Sequence, residues 1–382
     1  MDPSTRPAAT AADPIRVMIV DDSAVIRGLV TRSLEGDPSI RVVASVGDGK
    51  MAINALQRQP VDVIVLDIEM PVMDGLTAIP ELLAVDPSVK IIMSSTLTAR
   101  GAEVSLKAMQ LGAADYVPKP TSTREISGGD EFKRALTEKV RVLGSVARAG
   151  GGRRASTPLA PRTPAATAAP RAPTPTGDRI VRLRAMPTPT ARPDVIAIGS
   201  STGGPQALFQ VVAQLRGLAQ PILITQHMPA TFTTILAEHI QRQCEVICAE
   251  GKDGEPVVGG RVYIAPGDNH MLVVNRGAGP QISLTKDPPE NFCRPAVDPM
   301  LRSIVANYGR KVLAVVLTGM GQDGMRGCGV VAEAGGLVVA QDEASSVVWG
   351  MPGAVATAGH ANAVLPVGEI GSHVRQLASR VA

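Results

Sequence analysis

The stretch VDVIVLDIEMPVMDG, residues 61–75, joins an apolar run rich in β-branched residues directly to acidic and turn-forming residues. The run Val61–Leu66 is typical of a parallel strand that is buried on both faces. Asp67 follows it, at the carboxyl end of the strand, where functional side chains of parallel sheets are found. The stretch therefore predicts a central strand of an α/β sheet with an acidic residue at the functional edge.

The segments on both sides of this strand repeat a strand–helix alternation. Five strands that alternate with five helices predict a doubly wound parallel sheet, here a flavodoxin-like five-stranded one. The other predicted strands are Arg16–Val20, Ile40–Val46, Lys90–Met93 and Ala114–Val117. The predicted helices are Ala24–Leu34, Lys50–Arg58, Thr77–Ala84, Glu103–Leu111 and, at the end, about Glu131–Ser145.

A second strand–helix pattern begins at Asp194. It predicts another α/β domain, doubly wound and mainly parallel. Its middle, about residues 257–284, has short β-branched runs and Gly/Asn turns, which predict an inserted antiparallel hairpin. The predicted parallel strands are Val195–Ile198, Ile222–Thr225, Val312–Leu317 and Leu337–Ala340, and the short runs are Arg261–Ala265, His270–Val274 and Gln281–Leu284.

The chain has 382 residues, which is too long for one hydrophobic core. Between the two patterns lies a segment rich in Pro, Ala, Thr and Arg, with too few large apolar residues to offset the entropy of ordering. We predict one domain at residues 14–135, with its final helix extending to about 147. A disordered linker at 148–192 and a second domain at 193–380 follow.

Charge, cysteine content and hydropathy limit the classes of function. The formal net charge is +3, but nine arginines and a single acid, Asp178, fall between Ala147 and Pro193. The positive charge therefore belongs to the linker, and we expect no nucleic-acid partner. No Cys-x-x-Cys pair is present, so a zinc site is not expected. With no secretory pattern and no run of about 18 apolar residues, we expect a cytoplasmic protein that does not insert into membranes.

Three carboxylates follow two strands of the first domain. Asp21 and Asp22 end the first strand, and Asp67 ends the third. A single aspartate after a buried strand is more often a helix cap. Three at the same sheet edge repel one another unless a cation joins them, and oxygen ligands suit Mg²⁺.

A hydroxyl and an ammonium group follow two further strands. Ser94 and Ser95 end the fourth strand, and Lys119 follows the fifth. Together with an aspartate nucleophile and a divalent cation, these are the groups needed to accept a phosphoryl group as an acyl phosphate.

Residues 15–120 resemble a response-regulator receiver domain. The matching elements are Asp21-Asp22, Asp67 with Met70-Pro71 and Met73-Asp74-Gly75, Ser94/Ser95 and Lys119-Pro120. The resemblance implies that a histidine kinase phosphorylates Asp67 and that Lys119 contacts the phosphoryl group. It also implies that Asp21, Asp22, Asp67 and the Glu69 carbonyl hold Mg²⁺. Either Ser94 or Ser95 is then the switch hydroxyl.

In the second domain, a strand runs into the turn GSSTGGP, residues 199–205. The Gly-x-Ser-x-Gly spacing centres on Ser201 and predicts a sharp turn that exposes its hydroxyl. A glycine-rich turn can also hold the pyrophosphate of a dinucleotide. That alternative is weaker, because the spacing is not Gly-x-Gly-x-x-Gly. The next strand also leads to His227 rather than to an acid.

His227 and Asp323 follow two other predicted strands of this domain. At the same sheet edge as Ser201, His227 suits a general base and Asp323 suits the group that orients its imidazole. Asp323 by itself is more simply a helix cap. The chain order Ser, His, Asp differs from that of α/β-hydrolases, which argues against a lipase-type fold.

Residues 194–375 resemble the catalytic domain of chemotaxis protein-glutamate methylesterases. The matching elements are Ile198–Gly204, Gln226-His227-Met228-Pro229, Cys293-Arg294-Pro295 and Leu317–Gly324. This chain differs from the family at Ser200, where a small residue such as Ala is common, and in the length of its linker.

What the resemblance implies is a phosphorylation-activated serine hydrolase that demethylates glutamate methyl esters and deamidates glutamines on chemoreceptors. Ser201, His227 and Asp323 would be catalytic, with no cofactor in the hydrolase site. Thr202, Met320 and Arg294 would serve the oxyanion or the substrate. An unphosphorylated receiver would cover the Ser201 edge. The competing hypotheses are a DNA-binding output, a nucleotide-binding module at Gly199–Gly204 and a non-enzymatic adaptor.

Overall fold

The computed structural model describes residues 13–119, 130–150, 181–187, 192–277 and 279–379. Residues 13–150 contain a five-stranded, fully parallel sheet of order β2-β1-β3-β4-β5. Its strands are β1 (Ile15–Val20), β2 (Ile40–Val46), β3 (Val63–Asp67), β4 (Lys90–Ser95) and β5 (Asp115–Pro118). The predicted flavodoxin-like fold is confirmed, with strand ends shifted by one or two residues.

Helices cover both faces of this sheet and bury its apolar side chains. They are α1 (Ala24–Glu35), α2 (Gly49–Arg58), α3 (Gly75–Val85), α4 (Ala99–Gln110) and α5 (Asp130–Gly150). Helices α1 and α5 pack on one face, and α2, α3 and α4 pack on the other. Ser23, Asp48, Asp74 and Thr98 cap the first four helices through their side chains.

The C-terminal domain is built on a seven-stranded parallel sheet of order β14-β13-β12-β6-β7-β9-β8. Its strands are β6 (Val195–Ser200), β7 (Ile222–Gln226), β8 (Ile247–Glu250), β9 (Arg261–Ile264), β12 (Val312–Val316), β13 (Leu337–Gln341) and β14 (Ala363–Leu365). Strands β10 (His270–Asn275) and β11 (Pro280–Thr285) form a separate antiparallel hairpin. The chain leaves β6 towards β7 and returns on its other side at β12, so a crevice opens at the carboxyl end of β6.

Six helices surround this second sheet. They are α6 (Gly204–Gln214), α7 (Ala230–Cys244), α8 (Val297–Tyr308), α9 (Met325–Glu333), α10 (Met351–Thr357) and α11 (Val367–Ala378). No helix in the described parts of the chain is long and apolar enough to span a membrane.

The antiparallel insertion is confirmed, but it is smaller than the pattern suggested. The run Arg261–Ala265 was expected to belong to it, whereas β9 pairs in parallel with β7 and β8. Residues 262–264 are fully or almost fully buried, as is usual for a strand inside a parallel sheet. The runs that form β9, β10 and β11 are all short and flanked by turns, so their local sequence patterns look alike. Only parallel or antiparallel pairing with other strands distinguishes them.

The predicted linker, residues 148–192, lies mostly outside the described residues. At its beginning, α5 continues to Gly150. Near its end, residues 181–187 are extended and bind the C-terminal domain, which differs from the expected disorder. The backbone N–H of Arg184 donates to the Ala361 carbonyl at 2.8 Å, and Asn362 Nδ2 donates to the Ala185 carbonyl at 3.1 Å. Backbone hydrogen bonds of this kind need no apolar side chains, which is why composition missed them.

Candidate active site and phosphoacceptor site

The turn between β6 and α6 carries two adjacent serines in different environments. Ser200 is fully buried, and its hydroxyl donates to Gln226 Oε1 at 2.7 Å. Ser201 is half-buried, and within the described part of the chain its hydroxyl makes no hydrogen bond. Gly203 has φ +75°, a conformation that glycine adopts without strain. The turn therefore leaves the hydroxyl of Ser201, rather than that of Ser200, available for chemistry.

His227 and Asp323 form a hydrogen-bonded pair beside this turn. His227 follows β7, and its backbone N–H donates to the Ser200 carbonyl at 3.1 Å. Its ring atom Nε2 lies 2.8 Å from Asp323 Oδ2. Because a carboxylate only accepts, Nε2 carries the proton and Nδ1 is the nitrogen left to act as a base. The backbone of Gly319 also lies so close to Ser201 that a Cβ at this position would be 2.9 Å from the Ser201 Cβ. The predicted serine, histidine and aspartate thus meet at one sheet edge.

The carboxylate of Asp323 also accepts three backbone N–H groups and one side-chain amide. Val297 N donates to Oδ2 at 2.6 Å, and Asp298 N donates to Oδ1 at 3.1 Å. These two amides belong to the first turn of α8, so Asp323 does cap a helix, although not the one that follows it. Gly324 N and Asn291 Nδ2 donate to Oδ1, each at 3.0 Å. The Asp323 side chain therefore caps a helix and also holds the imidazole of His227.

Charge is distributed unevenly over this pair. Burial lowers the pKa of His227, but the neighbouring Cys293 sulfur and the Asp323 carboxylate outweigh burial and raise that pKa. Burial raises the pKa of Asp323, but the bond to His227 and the backbone donors outweigh burial and lower that pKa. In this arrangement Asp323 is ionised and the charged imidazolium of His227 is favoured.

The side chain of Cys293 lies against Nδ1 of His227, the ring nitrogen that would have to accept the Ser201 proton. Its Sγ lies 3.4 Å from His227 Nδ1. Since no hydrogen bond joins Ser201 and His227 in the described structure, the arrangement is a resting one. A protonated imidazole cannot accept the Ser201 proton, so His227 has to be neutral to act as the base.

The three predicted oxyanion and substrate residues lie in different surroundings. Thr202 follows Ser201 directly. Met320 is half-buried and packs against an apolar cluster that contains Val348 and side chains of the N-terminal domain. Arg294 is not brought to the catalytic pair. Its guanidinium donates to Asp268 Oδ1 at 2.6 Å and to the Lys286 and Asp287 carbonyls at 3.0 and 3.1 Å. The assignment of Arg294 to the substrate stays a prediction.

The acidic cluster of the N-terminal domain lies at the carboxyl edge of its sheet. Lys119 Nζ is 2.7 Å from Asp67 Oδ1 and 2.9 Å from Asp21 Oδ2. Burial raises the pKa of Asp67, with a further contribution from Asp21 that Lys119 opposes. Burial lowers the pKa of Lys119, but its two carboxylate partners outweigh burial and raise it. Lys119 is therefore held charged beside Asp67.

The same carboxylates fit a hard divalent cation. Ligand oxygens of Asp21, Asp22 and Asp67 lie within 4.8 Å of one another. Asp21 Oδ2 is buried, and beside its ion pair with Lys119 it makes no hydrogen bond to the described residues, so it has capacity for a ligand. The Glu69 side chain points elsewhere, since it pairs with Arg100 at 3.0 Å. Only the main-chain carbonyl of Glu69 was expected to bind the metal, and that stays a prediction.

The two candidate switch hydroxyls face opposite sides of β4. Ser94 pairs in register with Asp67, whereas Ser95 pairs with Pro118. In neighbouring parallel strands, residues in register project from the same face, and successive residues alternate. Ser95 Oγ instead donates to the Gly101 carbonyl in α4 at 3.1 Å. The register thus favours Ser94 as the hydroxyl beside Asp67.

The two domains pack closely beside the catalytic turn. The ring of Tyr116 in β5 stacks on Phe232 in α7, with centroids 4.3 Å apart and planes inclined by 13°. The side-chain amide of Gln206 in α6 donates to the carbonyls of Met109 and Ala113 at 2.6 and 2.8 Å. The N-terminal domain therefore packs against α6, the helix that follows the Ser201 turn.

One contact reaches the catalytic turn itself. Thr202 Oγ1 donates to Asp115 Oδ2 at 2.5 Å, and Lys139 Nζ in α5 lies 2.7 Å from the same oxygen. The sequence analysis did not single out Asp115 or Lys139. Neither residue forms part of a motif, and their importance depends on a domain arrangement that a linear pattern does not record.

Comparisons with known proteins identify the family of each domain. A family model described as CheB methylesterase matches residues 196–374, and one described as response regulator receiver domain matches residues 17–128. The chain is 66% identical over 381 residues to a Rhodospirillum centenum protein named protein-glutamate methylesterase/protein-glutamine glutaminase of group 2 operon, covering 97% of this chain and 96% of that protein. An Azospirillum brasilense protein, named protein-glutamate methylesterase/protein-glutamine glutaminase, is 67% identical over 381 residues, with 98% and 95% covered.

Among solved structures, the Thermotoga maritima CheB methylesterase catalytic domain is 40% identical, with a TM-score of 0.48. The match covers 49% of this chain and all of that one. The identity to the two full-length relatives extends over both domains. This chain therefore belongs to the family of protein-glutamate methylesterases/protein-glutamine glutaminases that carry an N-terminal response-regulator receiver domain.

Proposed function

We propose that this chain is a phosphorylation-activated serine hydrolase that demethylates glutamate methyl esters and deamidates glutamines on chemoreceptors, and so provides chemotactic adaptation. The observation that carries the proposal is the free hydroxyl of Ser201 beside the hydrogen-bonded His227–Asp323 pair. Membership of the family supports the two substrates. The hydroxyl, imidazole and carboxylate by themselves support acyl hydrolysis.

In the proposed reaction, Ser201 Oγ attacks the carbonyl carbon of the glutamyl methyl ester. His227 Nδ1 takes the hydroxyl proton and returns it to the leaving methoxide, so that methanol departs and an acyl-serine remains. Water activated by the same nitrogen then releases the glutamate. The backbone N–H groups of Thr202 and Met320 make no hydrogen bond within the described part of the chain, and we assign them to the oxyanion.

The receiver domain would accept a phosphoryl group on Asp67 from a histidine kinase. Asp21, Asp22, Asp67 and the carbonyl of Glu69 would hold Mg²⁺, which neutralises phosphoryl charge when bound. Lys119 already lies 2.7 Å from Asp67 and would contact the phosphoryl oxygens. We assign the switch to Ser94, and its pairing with Asp67 in the register of β3 and β4 supports this assignment.

Control of the hydrolase would follow from competition between two domain arrangements. In this structure Asp115 of the receiver binds Thr202, which belongs to the catalytic turn. Phosphorylation can shift the equilibrium only if it changes contacts that differ between the two arrangements. Lys119 connects the phosphorylation site with the Thr202 contact, since it pairs with Asp67 and directly follows β5, the strand that contains Asp115.

We place the enzyme in the cytoplasm, where a histidine kinase and the cytoplasmic parts of receptors are accessible. The four cysteines, all within described segments, are free thiols, which agrees with a reducing compartment.

The Asp67→Asn variant tests both halves of the proposal. The variant lacks the carboxylate that forms the acyl phosphate, so we expect a small phosphodonor to give no stimulation of its activity, while unstimulated hydrolysis continues. The measurement is methanol release from methylated receptor membranes, with and without phosphodonor and Mg²⁺. Asp48→Asn is a matched control, because asparagine also caps a helix and Asp48 caps α2 away from the cluster. Undiminished stimulation in the Asp67 variant would remove the receiver from the proposal.

The Asp115→Asn variant tests the restraint on Thr202. It loses the negative charge that binds both the Thr202 hydroxyl and Lys139, which weakens the resting arrangement. Loss of a charged hydrogen bond shifts such an equilibrium by about 1.5–3 kcal/mol. We therefore expect unstimulated methanol release to rise by about tenfold or more, up to the stimulated rate.

The control for this variant is Gln243→Ala, which removes an exposed interdomain bond of 2.9 Å to Gln110. Because exposed bonds exchange readily with water, we expect less than a twofold change. Receiver function is checked separately by phosphorylation of each variant with the small phosphodonor. An unstimulated rate that stays at the wild-type value in Asp115→Asn would contradict the proposed restraint.

A further inference from the structure

A tight two-residue turn lies next to the catalytic histidine. Glu290 and Cys293 exchange backbone hydrogen bonds, with N–H to carbonyl distances of 3.1 and 2.9 Å. Asn291 and Phe292 lie between them, with φ of +51° and +63°. Positive φ at both central positions is the geometry of a type I′ turn, in which Asn-Gly is the preferred sequence.

Three of the four turn residues have contacts that explain their position. Asn291 Nδ2 donates to Asp323 and to Asp298, at 3.0 and 3.1 Å. Cys293 Sγ lies against His227 Nδ1, and the Glu290 carboxylate pairs with Arg302. The turn is therefore anchored to the catalytic machinery at several points and presents its remaining side chain rigidly.

Phe292 is the residue without such a contact inside its own domain. A bulky side chain at positive φ is strained, and glycine would remove that strain. The side chain is nevertheless 90% exposed, so its burial in this structure does not compensate for the strain. Among the described residues, the ring has one cation–π contact, in which the Arg134 guanidinium of α5 in the receiver lies 5.8 Å from the ring centroid. Strained and exposed residues of this kind are found where a ligand is bound.

We propose that Phe292 is the apolar anchor on which the receptor segment carrying the substrate glutamate docks. The inference rests on the proposed function and extends it to substrate recognition. The occupant follows from position, because the residue after Phe292 touches the catalytic imidazole. A protein segment bound at the catalytic groups extends beyond them, and this ring is an exposed apolar side chain one residue from a contact of His227. The same ring lies next to the interdomain interface, because the Arg134 guanidinium of the receiver is 5.8 Å from its centroid.

An aromatic side chain suits this role because it offers a large contact area at low entropic cost and is frequent among residues that dominate binding. A small ester needs only Ser201 and its partners, whereas a receptor segment also needs the anchor. Loss of the ring should therefore affect the two substrates differently. The effect on receptor should fall on KM rather than on kcat, because the ring lies outside the reacting groups.

The Phe292→Gly variant removes the ring and suits the positive φ of the turn, so folding is preserved. We compare full-length proteins in the presence of a small phosphodonor and Mg²⁺. We expect KM for methanol release from methylated receptor membranes to rise by about tenfold or more. Hydrolysis of p-nitrophenyl acetate should change by less than twofold.

Two further variants separate docking from general effects. Phe292→Tyr keeps the ring and should retain a KM within about twofold of the wild-type value. Ile247→Thr shortens another exposed apolar side chain, which is 66% exposed at the start of β8, the end of the sheet opposite the site. It should leave KM unchanged.

An equal fall of small-ester hydrolysis in Phe292→Gly would show that the ring only supports the turn, and would overturn the inference. An unchanged KM for receptor membranes would also overturn it. So would a wild-type dimer in sedimentation that Phe292→Gly converts to monomer, because the ring would then bind a second copy. A wild-type enzyme that hydrolyses the small ester but releases no methanol would instead refute the proposed substrate.

Discussion

Replacing Ser201 with alanine is expected to reduce hydrolysis of both receptor methyl esters and small esters by about 10³-fold or more. Removal of the nucleophile of a serine–histidine–aspartate triad lowers kcat by about 10⁶-fold in the best-measured case. Residual rates come from the oxyanion donors and from binding, which the variant keeps. The measurements are methanol release from receptor membranes and p-nitrophenyl acetate hydrolysis, together with covalent labelling by a serine-directed sulfonyl fluoride.

Ser200→Ala is the matched control, because it removes the adjacent hydroxyl in the same turn. That hydroxyl donates to the buried Gln226 Oε1, and its loss leaves the acceptor without this partner at a cost of about 1–3 kcal/mol of folding stability. We expect a lower melting temperature, an activity within about tenfold of wild type, and normal labelling of Ser201. If Ser200→Ala lost activity and labelling as fully as Ser201→Ala, or if Ser201→Ala kept a substantial rate, the nucleophile would have to be reassigned.

Replacing Asp323 with asparagine is expected to lower kcat by about 10³–10⁴-fold. The corresponding change in a serine protease lowers kcat by about 10⁴-fold, since the imidazole is no longer held in the correct tautomer. Here the effect has a second cause. The Asp323 carboxylate accepts from His227, Asn291 and three backbone N–H groups, and an amide in its place turns an N–H₂ group towards some of these donors.

Asp298→Asn is the control for this variant. Asp298 is also buried, and it accepts from Asn291 and from the Gly327 backbone, but it does not contact His227. Burial raises the pKa of Asp298, as does the neighbouring Asp323. We expect a loss of less than about tenfold. A comparable loss in both variants would mean that Asp323 acts by supporting the loop rather than by orienting the imidazole.

The pH dependence of the residual activity distinguishes these two roles. A general base works when neutral, so kcat/KM rises with pH through the pKa of His227. Asp323 helps to raise the pKa of His227, and its neutral replacement should lower that pKa. The rise in activity is therefore expected at lower pH in Asp323→Asn than in wild type. A rise at unchanged pH would show that His227 does not titrate against Asp323.

The order of secondary-structure elements was largely predictable. Runs such as Val61–Leu66 are apolar on both faces, and such runs alternate with helical periodicity, which specifies buried parallel strands. The end of β3 shows the limit of this reasoning, since Asp67 itself belongs to the strand. The backbone of a polar residue at the edge of a parallel sheet can still form hydrogen bonds with the neighbouring strand. Composition therefore does not reveal at which residue the strand ends. Strand β9 was misassigned for a related reason, because its pairing with β7 and β8 is parallel, and local pattern does not distinguish parallel from antiparallel pairing.

Site residues were predictable when their role follows from the end of a strand. Asp21, Asp67 and Lys119 meet at one sheet edge because parallel strands bring their carboxyl ends together. The sequence could not choose between Ser94 and Ser95, because both are small hydroxyl residues at the same strand end. In the structure Ser94 pairs in register with Asp67, which favours Ser94, and register depends on the pairing of whole strands.

The sequence by itself determined two α/β domains and the residue types at their functional edges, because strand burial and turn chemistry are local properties of the chain. Tertiary structure alone decided the environments of those residues. It buried Ser200 and left Ser201 free, it gave Asp323 a helix to cap that begins 26 residues earlier, and it joined Thr202 to Asp115 across 87 residues. These differences arise from hydrogen bonds and burial between distant segments, and such contacts exist only once the sheets and the two domains have packed.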